Sequence, residues 1–197
     1  MARAFDVLGL GYCSDDYLAI TPQITPFDHD PGTLAEFVRD GGGPVSTALV
    51  ALARLGAHVA YLGPLGDDPS GQYLLEQFER AGVDTRHIQI QAGRRTPACI
   101  VLVEEGVGRR SINTYRGDLQ PFPLTEAMRD DLGAARFLHI DGHFIEMVEP
   151  AAALVRQAGG RVVFDANRPR PHIERYLACT DILIAAGSFP AAVTGIA

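Results

Sequence analysis

The sequence predicts an α/β fold: a mostly parallel sheet flanked by helices, with a small β-sheet lid. Two observations carry the main sheet. Short apolar runs alternate with helical stretches of about a dozen residues, the pattern of successive βαβ units. Several of the helical stretches close on a glycine, the residue best suited to the left-handed position after a helix. A third observation carries the lid. Two segments, about 17–39 and 96–116, are β-like and have no helix to cover both faces. Joined, they make a small antiparallel sheet over the strand ends, or a peripheral extension used for dimer contacts.

In chain order, "AFDVLGLG" (4–11) is an apolar run ending in glycines, a buried first strand. Residues 17–39 mix Thr, Pro, Phe and Asp and read as two extended pieces around a Pro/Asp/Gly turn. From Val45 to Leu55 an Ala/Leu/Val run without breakers predicts a helix that stops at Gly56. "HVAYLG" (58–63) is a second strand, and "SGQYLLEQFERAG" (70–82) a helix with Tyr73, Leu74, Leu75 and Phe78 as its apolar residues. In 96–118 two β-type runs flank "EEGVG", a hairpin. Thr125 is a natural N-cap for a short helix to 133. Strands follow at 136–142, 161–167 and 181–187, with a helix at 149–160.

Length and composition narrow the function classes. A chain of 197 residues reads as one domain and is long enough to bury roughly 70% of its unfolded surface. The net charge of −7, with basic residues scattered, argues against nucleic acid and anionic membrane as partners. Cys13, Cys99 and Cys179 are far apart and odd in number, as expected of reduced thiols. No apolar run reaches about eighteen residues and the first residues do not read as a signal peptide, so the expectation is a cytoplasmic protein.

Four stretches are candidates for chemistry. "GLGYCS" (9–14) follows a strand like a dinucleotide loop, but Ser14 stands where the third glycine belongs and the next residues do not read as a helix. "GGGPVST" (41–47) opens a helix without the Lys-Ser/Thr of a triphosphate loop. It is either a tight turn for close packing or a bare backbone approached by a hydroxyl-rich ligand, with Thr47 facing it. "HIDGH" (139–143) has a spacing that suits a metal in a strand, although Gly142 reads as the strand end. "FDANRPRP" (164–171) ends a strand in Asp165 and Asn167 with Arg168 and Arg170 beyond, where open α/β sheets bind ligands.

Together these pieces resemble the ribokinase-like carbohydrate kinases, the phosphofructokinase-B family, over essentially the whole chain. "FDVLGLGYCSDDYLAI" is similar to the family's first strand and substrate-binding Asp, which falls on Asp16. "GGPVSTALVALARLG" followed by "GPLGDDPSG" resembles its N-terminal signature, 96–118 its lid hairpin, and "VVFDAN" the strand whose Asp and Asn approach substrate and phosphate. The resemblance implies transfer of the γ-phosphoryl group of ATP, with Mg²⁺, to the hydroxymethyl group of a sugar or sugar acid. It implies Asp16, Gly42, Gly43 and Thr47 at the sugar hydroxyls, Arg116 with Asn167 or Arg168 at an anionic end, and Asp165 as their orienter. Thr47 in place of the usual Asn is similar to a subgroup that includes sulfofructose kinases.

The departures imply limits. Ala186 and Phe189 stand where the family's Asn-x-x-Glu falls, and its "GAGD" turn, source of the anion hole and catalytic base, is absent from the sequence. The resemblance therefore puts the catalytic base beyond Ala197 and no catalytic residue before it. The expectation is an incomplete ribokinase-like domain over 1–197, without the nucleotide-binding part, inactive alone and poorly soluble because the 181–185 strand is left as a bare edge. The rival readings are a non-catalytic sugar-binding remnant that dimerises through its lid, and a nicotinamide-dependent oxidoreductase.

Overall fold

The computed structural model describes residues 4–25 and 30–196. Its strands and helices are β1 (Phe5–Leu10), β2 (Ser14–Thr21), β3 (Glu36–Gly42), α1 (Pro44–Arg54), β4 (Val59–Gly66), α2 (Pro69–Ala81), β5 (Ile88–Gln91), β6 (Ala98–Glu104) and β7 (Arg110–Tyr115). They continue as α3 (Glu126–Gly133), β8 (Ala135–Ile140), α4 (Ile145–Gln157), β9 (Arg161–Ala166), α5 (Ile173–Cys179), β10 (Ile182–Ala185) and α6 (Phe189–Thr194). Ala197, the residue past which the catalytic base is expected, lies outside the described residues.

The main sheet has the order β10-β9-β8-β1-β4-β5, with every neighbouring pair parallel. Alternation along the strands sends side chains to two cores. Leu8, Leu10, Leu138, Ile140, Val162 and Phe164 pack on one face with Met128, Leu132, Met147, Val148 and Val155 from α3 and α4. Val59, Tyr61 and Leu65 pack on the other with Val45, Leu49, Leu74 and Phe78 from α1 and α2. Each such side chain contributes about 1.5–3 kcal/mol through burial. Helix α1 sits close because Gly9 is bare: a Cβ there would lie 2.5 Å from Leu49.

The lid sheet has the order β3-β2-β6-β7 and is mixed, which corrects the antiparallel expectation. Its outer pairs are antiparallel, but β2 and β6 run parallel, Asp16 abreast of Cys99. The reason is topological. Strands β2 and β6 both enter the lid from the same end of the main sheet, and β3 and β7 return. Of the expected turn in 17–39, residues 26–29 lie outside the described residues.

Other boundaries moved. Helix α4 begins at Ile145 rather than Glu149, with Pro150 inside it and Phe144 at its N-cap in the left-handed region, φ 56°. Strand β5 and helices α5 and α6 are additional to the elements the sequence pattern predicts. Each is short, and β5 alternates Ile with Gln without a flanking breaker strong enough to mark it. Strand β10 is an outer strand, with Leu183 and Ile184 exposed.

Candidate functional site

The chain leaves β1 at Gly11 and crosses to the lid through Tyr12 and Cys13, so both sheets meet at the C-terminal ends of the main strands. No helix follows Gly11; the chain turns directly into β2, and the pyrophosphate seat of a dinucleotide fold is missing there.

Two adjacent carboxylates face opposite sides of β2. Asp15 is fully buried toward α2. It accepts a two-pronged contact from Arg39, Nε to Oδ1 and Nη2 to Oδ2, each 2.8 Å, with Ser70 Oγ donating at 2.6 Å and Tyr17 OH at 3.3 Å. Burial alone raises its pKa; the Arg39 fork and the Ser70 and Tyr17 hydroxyls outweigh that and hold it below the usual carboxylate range. Arg39 also lies over the Tyr73 ring, 3.8 Å from its centroid. Nearby, Asp68 caps α2 by accepting from Gly71 N, and also accepts from the Thr96 amide and hydroxyl at 2.9 and 2.7 Å. The "GPLGDDPSG" stretch thus ties α2 to the root of the lid.

Asp16 is the opposite case. It is half-buried, and burial pushes its pKa up, aided by the charges of Asp15 and Asp40 and opposed by contacts from Ser14 and Cys99. Ser14 Oγ donates to its Oδ1 at 2.6 Å. The carboxylate lies across the bare α-carbon of Gly42, where a Cβ would overlap Oδ2. Gly43 follows as the N-cap of α1 with φ 104°, and a Cβ on it would overlap the Tyr12 carbonyl oxygen. The close contact at Gly42 is with a side-chain end, whereas Gly43 is required both by contact with backbone and by conformation. Ser46 fastens the turn by donating to Gly42 O at 2.5 Å.

Thr47 stands apart from this group. It is exposed on α1 and lines a groove of about 180 Å³ between α1 and α2, together with Cys13, Gly41, Arg54, Gln77 and Phe78.

On the body side, Asp141 is buried just beyond β8. It accepts from the Tyr12 amide at 2.8 Å, and His143 Nδ1 lies 2.8 Å from its other oxygen. The Tyr12 and His143 rings stack at 4.7 Å. "HIDGH" is thus a strand-end brace for Tyr12, and no group of three metal-ligating side chains occurs among the described residues. Arg170 crosses the bare Gly142, whose Cβ would lie 2.9 Å from Arg170 Cδ; the backbone there has φ 82°. Asp165 is half-buried at the end of β9, and its charge partly offsets the burial that lowers the His139 pKa. Asn167, Arg168 and Arg116 are exposed.

Three buried polar atoms have no partner among the described residues: Tyr12 OH, His139 Nε2 and Arg170 Nε. Such groups typically cost about 1–3 kcal/mol each. The sequence does not flag Tyr12, because a lone Tyr after a strand carries no motif. The position expected to hold a family Glu is Phe189, which is buried and packs edge-on against Phe164.

Comparison with known proteins gives a consistent result. The family profile described as pfkB family carbohydrate kinase matches residues 5–188. A fructokinase from Salmonella typhimurium is 32% identical over 152 residues, 72% of this chain and 48% of that protein. A ketohexokinase from Mus musculus is 26% identical over 136 residues, 69% of this chain and 45% of that protein. The chain spans about half the length of the curated relatives it matches. Among solved structures, Arabidopsis thaliana ribokinase complexed with ribose and ATP superposes with a TM-score of 0.79 at 18% identity, covering 98% of this chain and 63% of that one. Ribokinase from Giardia lamblia gives 0.81 at 19% identity, covering 97% and 61%. No helix among the described residues is long and apolar enough to cross a membrane.

Proposed function

The chain belongs to the pfkB family of carbohydrate kinases, and from that premise we propose that these residues form the sugar-binding side of an ATP-dependent kinase. The reaction is transfer of the γ-phosphoryl group to a sugar hydroxymethyl. The observation that carries the reading is the half-buried Asp16 carboxylate lying over the bare Gly42. A carboxylate with spare acceptor capacity beside an exposed backbone suits vicinal sugar hydroxyls. Asp16 accepts from them, Gly42 and Gly43 allow close approach, and Thr47 shapes the neighbouring groove. Asn167, Arg168 and the lid's Arg116 line the far end, and Asp165 orients them. Closure of the lid excludes water from the transfer.

The phosphoryl side is not supplied by these residues. The sequence carries no Gly-Ala-Gly-Asp, and Ala186 and Phe189 replace the Asn-x-x-Glu that organises Mg²⁺ and phosphate in the resembling kinases. Among the described residues no three His, Cys, Asp or Glu side chains gather as a group that could hold a metal ion. The 197-residue chain alone is therefore expected to bind sugar without nucleotide dependence and to give no ATP-dependent sugar phosphorylation. Calorimetry with a sugar panel, with and without ATP, checks the first, and a turnover assay checks the second. Turnover at kinase rates removes the inactivity reading; failure to bind any sugar removes the sugar-site reading.

A non-catalytic sugar-binding protein that dimerises through its lid is the second reading. Phe37, Ile100 and Tyr115 are exposed on one face of the lid sheet, an apolar patch suited to a second copy. Sedimentation of wild type against Ile100→Asp reports it directly: a monomer in both discards the dimer.

A further inference from the structure

We propose that the chain opens and recloses the ring of the sugar it binds, interconverting anomers without nucleotide, with Asp16 as proton acceptor and His143 as proton donor. The proposal rests on the sugar-site reading above and adds an activity to that site. Its starting point is a histidine held from several sides. His143 Nδ1 lies 2.8 Å from Asp141 Oδ1, and the Asp141 side chain has no exposure. The other Asp141 oxygen accepts from the Tyr12 amide at 2.8 Å, which fixes the carboxylate. The Tyr12 ring lies on the imidazole, with centroids 4.7 Å apart and planes 23° from parallel. On either side in sequence the backbone is left-handed, Gly142 at φ 82° and the non-glycine Phe144 at φ 56°. A bulky residue seldom adopts that conformation unless its surroundings impose it.

The result is an oriented imidazole. Asp141 accepts from Nδ1 and supplies the counter-charge for an imidazolium, the arrangement that lets the far nitrogen give and take a proton. That nitrogen, Nε2, makes no hydrogen bond among the described residues, and the side chain is 22% exposed, so a ligand can reach it. Tyr12 links this pair to Asp16. Burial raises the Tyr12 pKa, helped by Cys99 and Asp16 and opposed by Arg116, so the phenol keeps its proton and lies within the field of the sugar-facing carboxylate. Its hydroxyl is buried without a partner. A carboxylate whose proton affinity burial has raised, a phenol donor and an oriented imidazole thus follow one another at the ends of the main strands.

Ring opening of a cyclic sugar uses these parts. Asp16 takes the proton of the anomeric hydroxyl, and the freed O–H pair becomes the second bond of a carbonyl. The bond from the anomeric carbon to the ring oxygen breaks with its pair staying on that oxygen, and His143 Nε2 supplies the proton there. The Tyr12 hydroxyl donates to a sugar oxygen and holds the ring between the two. Rotation about the adjacent C–C bond presents the other face of the carbonyl. Closure runs the same transfers backwards, restores both residues and gives the other anomer. The balance requires no co-reactant.

Polarimetry of freshly dissolved α-D-glucose, α-D-galactose and β-D-fructose with the 197-residue chain tests this, in dilute buffer without nucleotide and beside calorimetry on the same sugars. At least one sugar that binds is expected to mutarotate about tenfold or more faster than in buffer alone. At saturating sugar, His143→Gln and Asp16→Asn should each remove most of the acceleration, and added imidazole should restore part of it in the first. Tyr12→Phe, which removes only a hydroxyl, should slow the reaction with the fold intact. Asp141 acts through His143, so Asp141→Asn should slow the reaction and also pull in the alkaline side of its pH profile, because the imidazolium loses its counter-charge. A purely structural role would lower the profile without changing its shape. Sugars that bind but mutarotate at the buffer rate overturn the proposal and leave the sugar site standing. Acceleration that survives both His143→Gln and Asp16→Asn overturns it as well. Binding of no sugar takes down the sugar-site reading and the proposal together.

Discussion

Asp15 and Asp16 are consecutive residues of β2 that point to opposite faces of the lid sheet, and their surroundings differ in kind. On the Asp15 face the chain supplies every partner: Arg39, Ser70 and Tyr17 converge on a carboxylate with no exposure. On the Asp16 face the partners are the Ser14 hydroxyl and the Cys99 thiol, with no cation among them, and the carboxylate lies over a glycine. The same contrast separates the Asp68–Thr96 brace from the unpartnered Tyr12, His139 and Arg170 atoms. Completed polar networks hold the lid in place, and the incomplete ones lie where the proposed sugar site would draw its partners.

The largest expected effect falls on the completed side. Asp15→Ala leaves Arg39 without its carboxylate and strips acceptors from Ser70 and Tyr17. The Arg39 side chain is 34% exposed, so water recovers part of the loss. The expected destabilisation is about 3 kcal/mol, read by denaturant unfolding, with hydrogen exchange accelerating first in β2 and β3. A loss below about 1 kcal/mol would mean that Asp15 is not the lid's clamp.

Next comes the glycine pair, which straddles the two sides. Gly43→Ala forces a side chain into a positive φ and against the Tyr12 backbone carbonyl, at an expected cost of about 2 kcal/mol. Gly42→Ala collides with the end of the Asp16 side chain, which can swing aside, so stability changes little. The displaced carboxylate should instead lower sugar affinity by about tenfold. Unfolding and calorimetry on both variants separate the roles; equal losses of stability would erase the distinction.

How much of this was legible in the sequence follows the same divide. The βαβ alternation and the glycine-closed helices gave the main sheet, because buried parallel strands leave an apolar signature. The mixed lid was not readable, since local patterns do not say in which direction a strand enters a sheet. Asp16, Gly42 and Gly43 were found through resemblance, and they do come together. Thr47, named with them, faces the α1–α2 groove instead. Its place at the fourth position after Gly43 gave no rotation about the helix axis without knowing which face the sheet buries. Tyr12 and the burial of Arg170 were beyond reach because both depend on Asp141 and Gly142, contributed by the turn after β8, more than a hundred residues from Tyr12.

The smallest expected effect is also the most discriminating, because the two aspartates carry opposite linkage. Asp15, with a depressed folded pKa, contributes stability present above its unfolded pKa, about 3.9, and lost as pH falls through its folded value. Asp16, with a raised folded pKa, contributes stability present below its unfolded value and lost as pH rises through its folded one. Acidification therefore weakens the first while relieving the second. Asp16→Asn removes the relief, so its stability should fall more steeply than wild type as pH drops into the carboxylate range, whereas Asp15→Asn should fall less steeply. At neutral pH, Asp16→Asn should be neutral or stabilising by under about 1 kcal/mol, since it no longer holds a desolvated charge. Sugar binding by wild type should weaken as Asp16 protonates, at a pH above that of a free aspartate, and the Asn variant should show a flat pH profile. Parallel acid slopes for the two variants would mean that the two faces of β2 are electrostatically alike, and the distinction between a clamp and a binding group would then rest on packing alone.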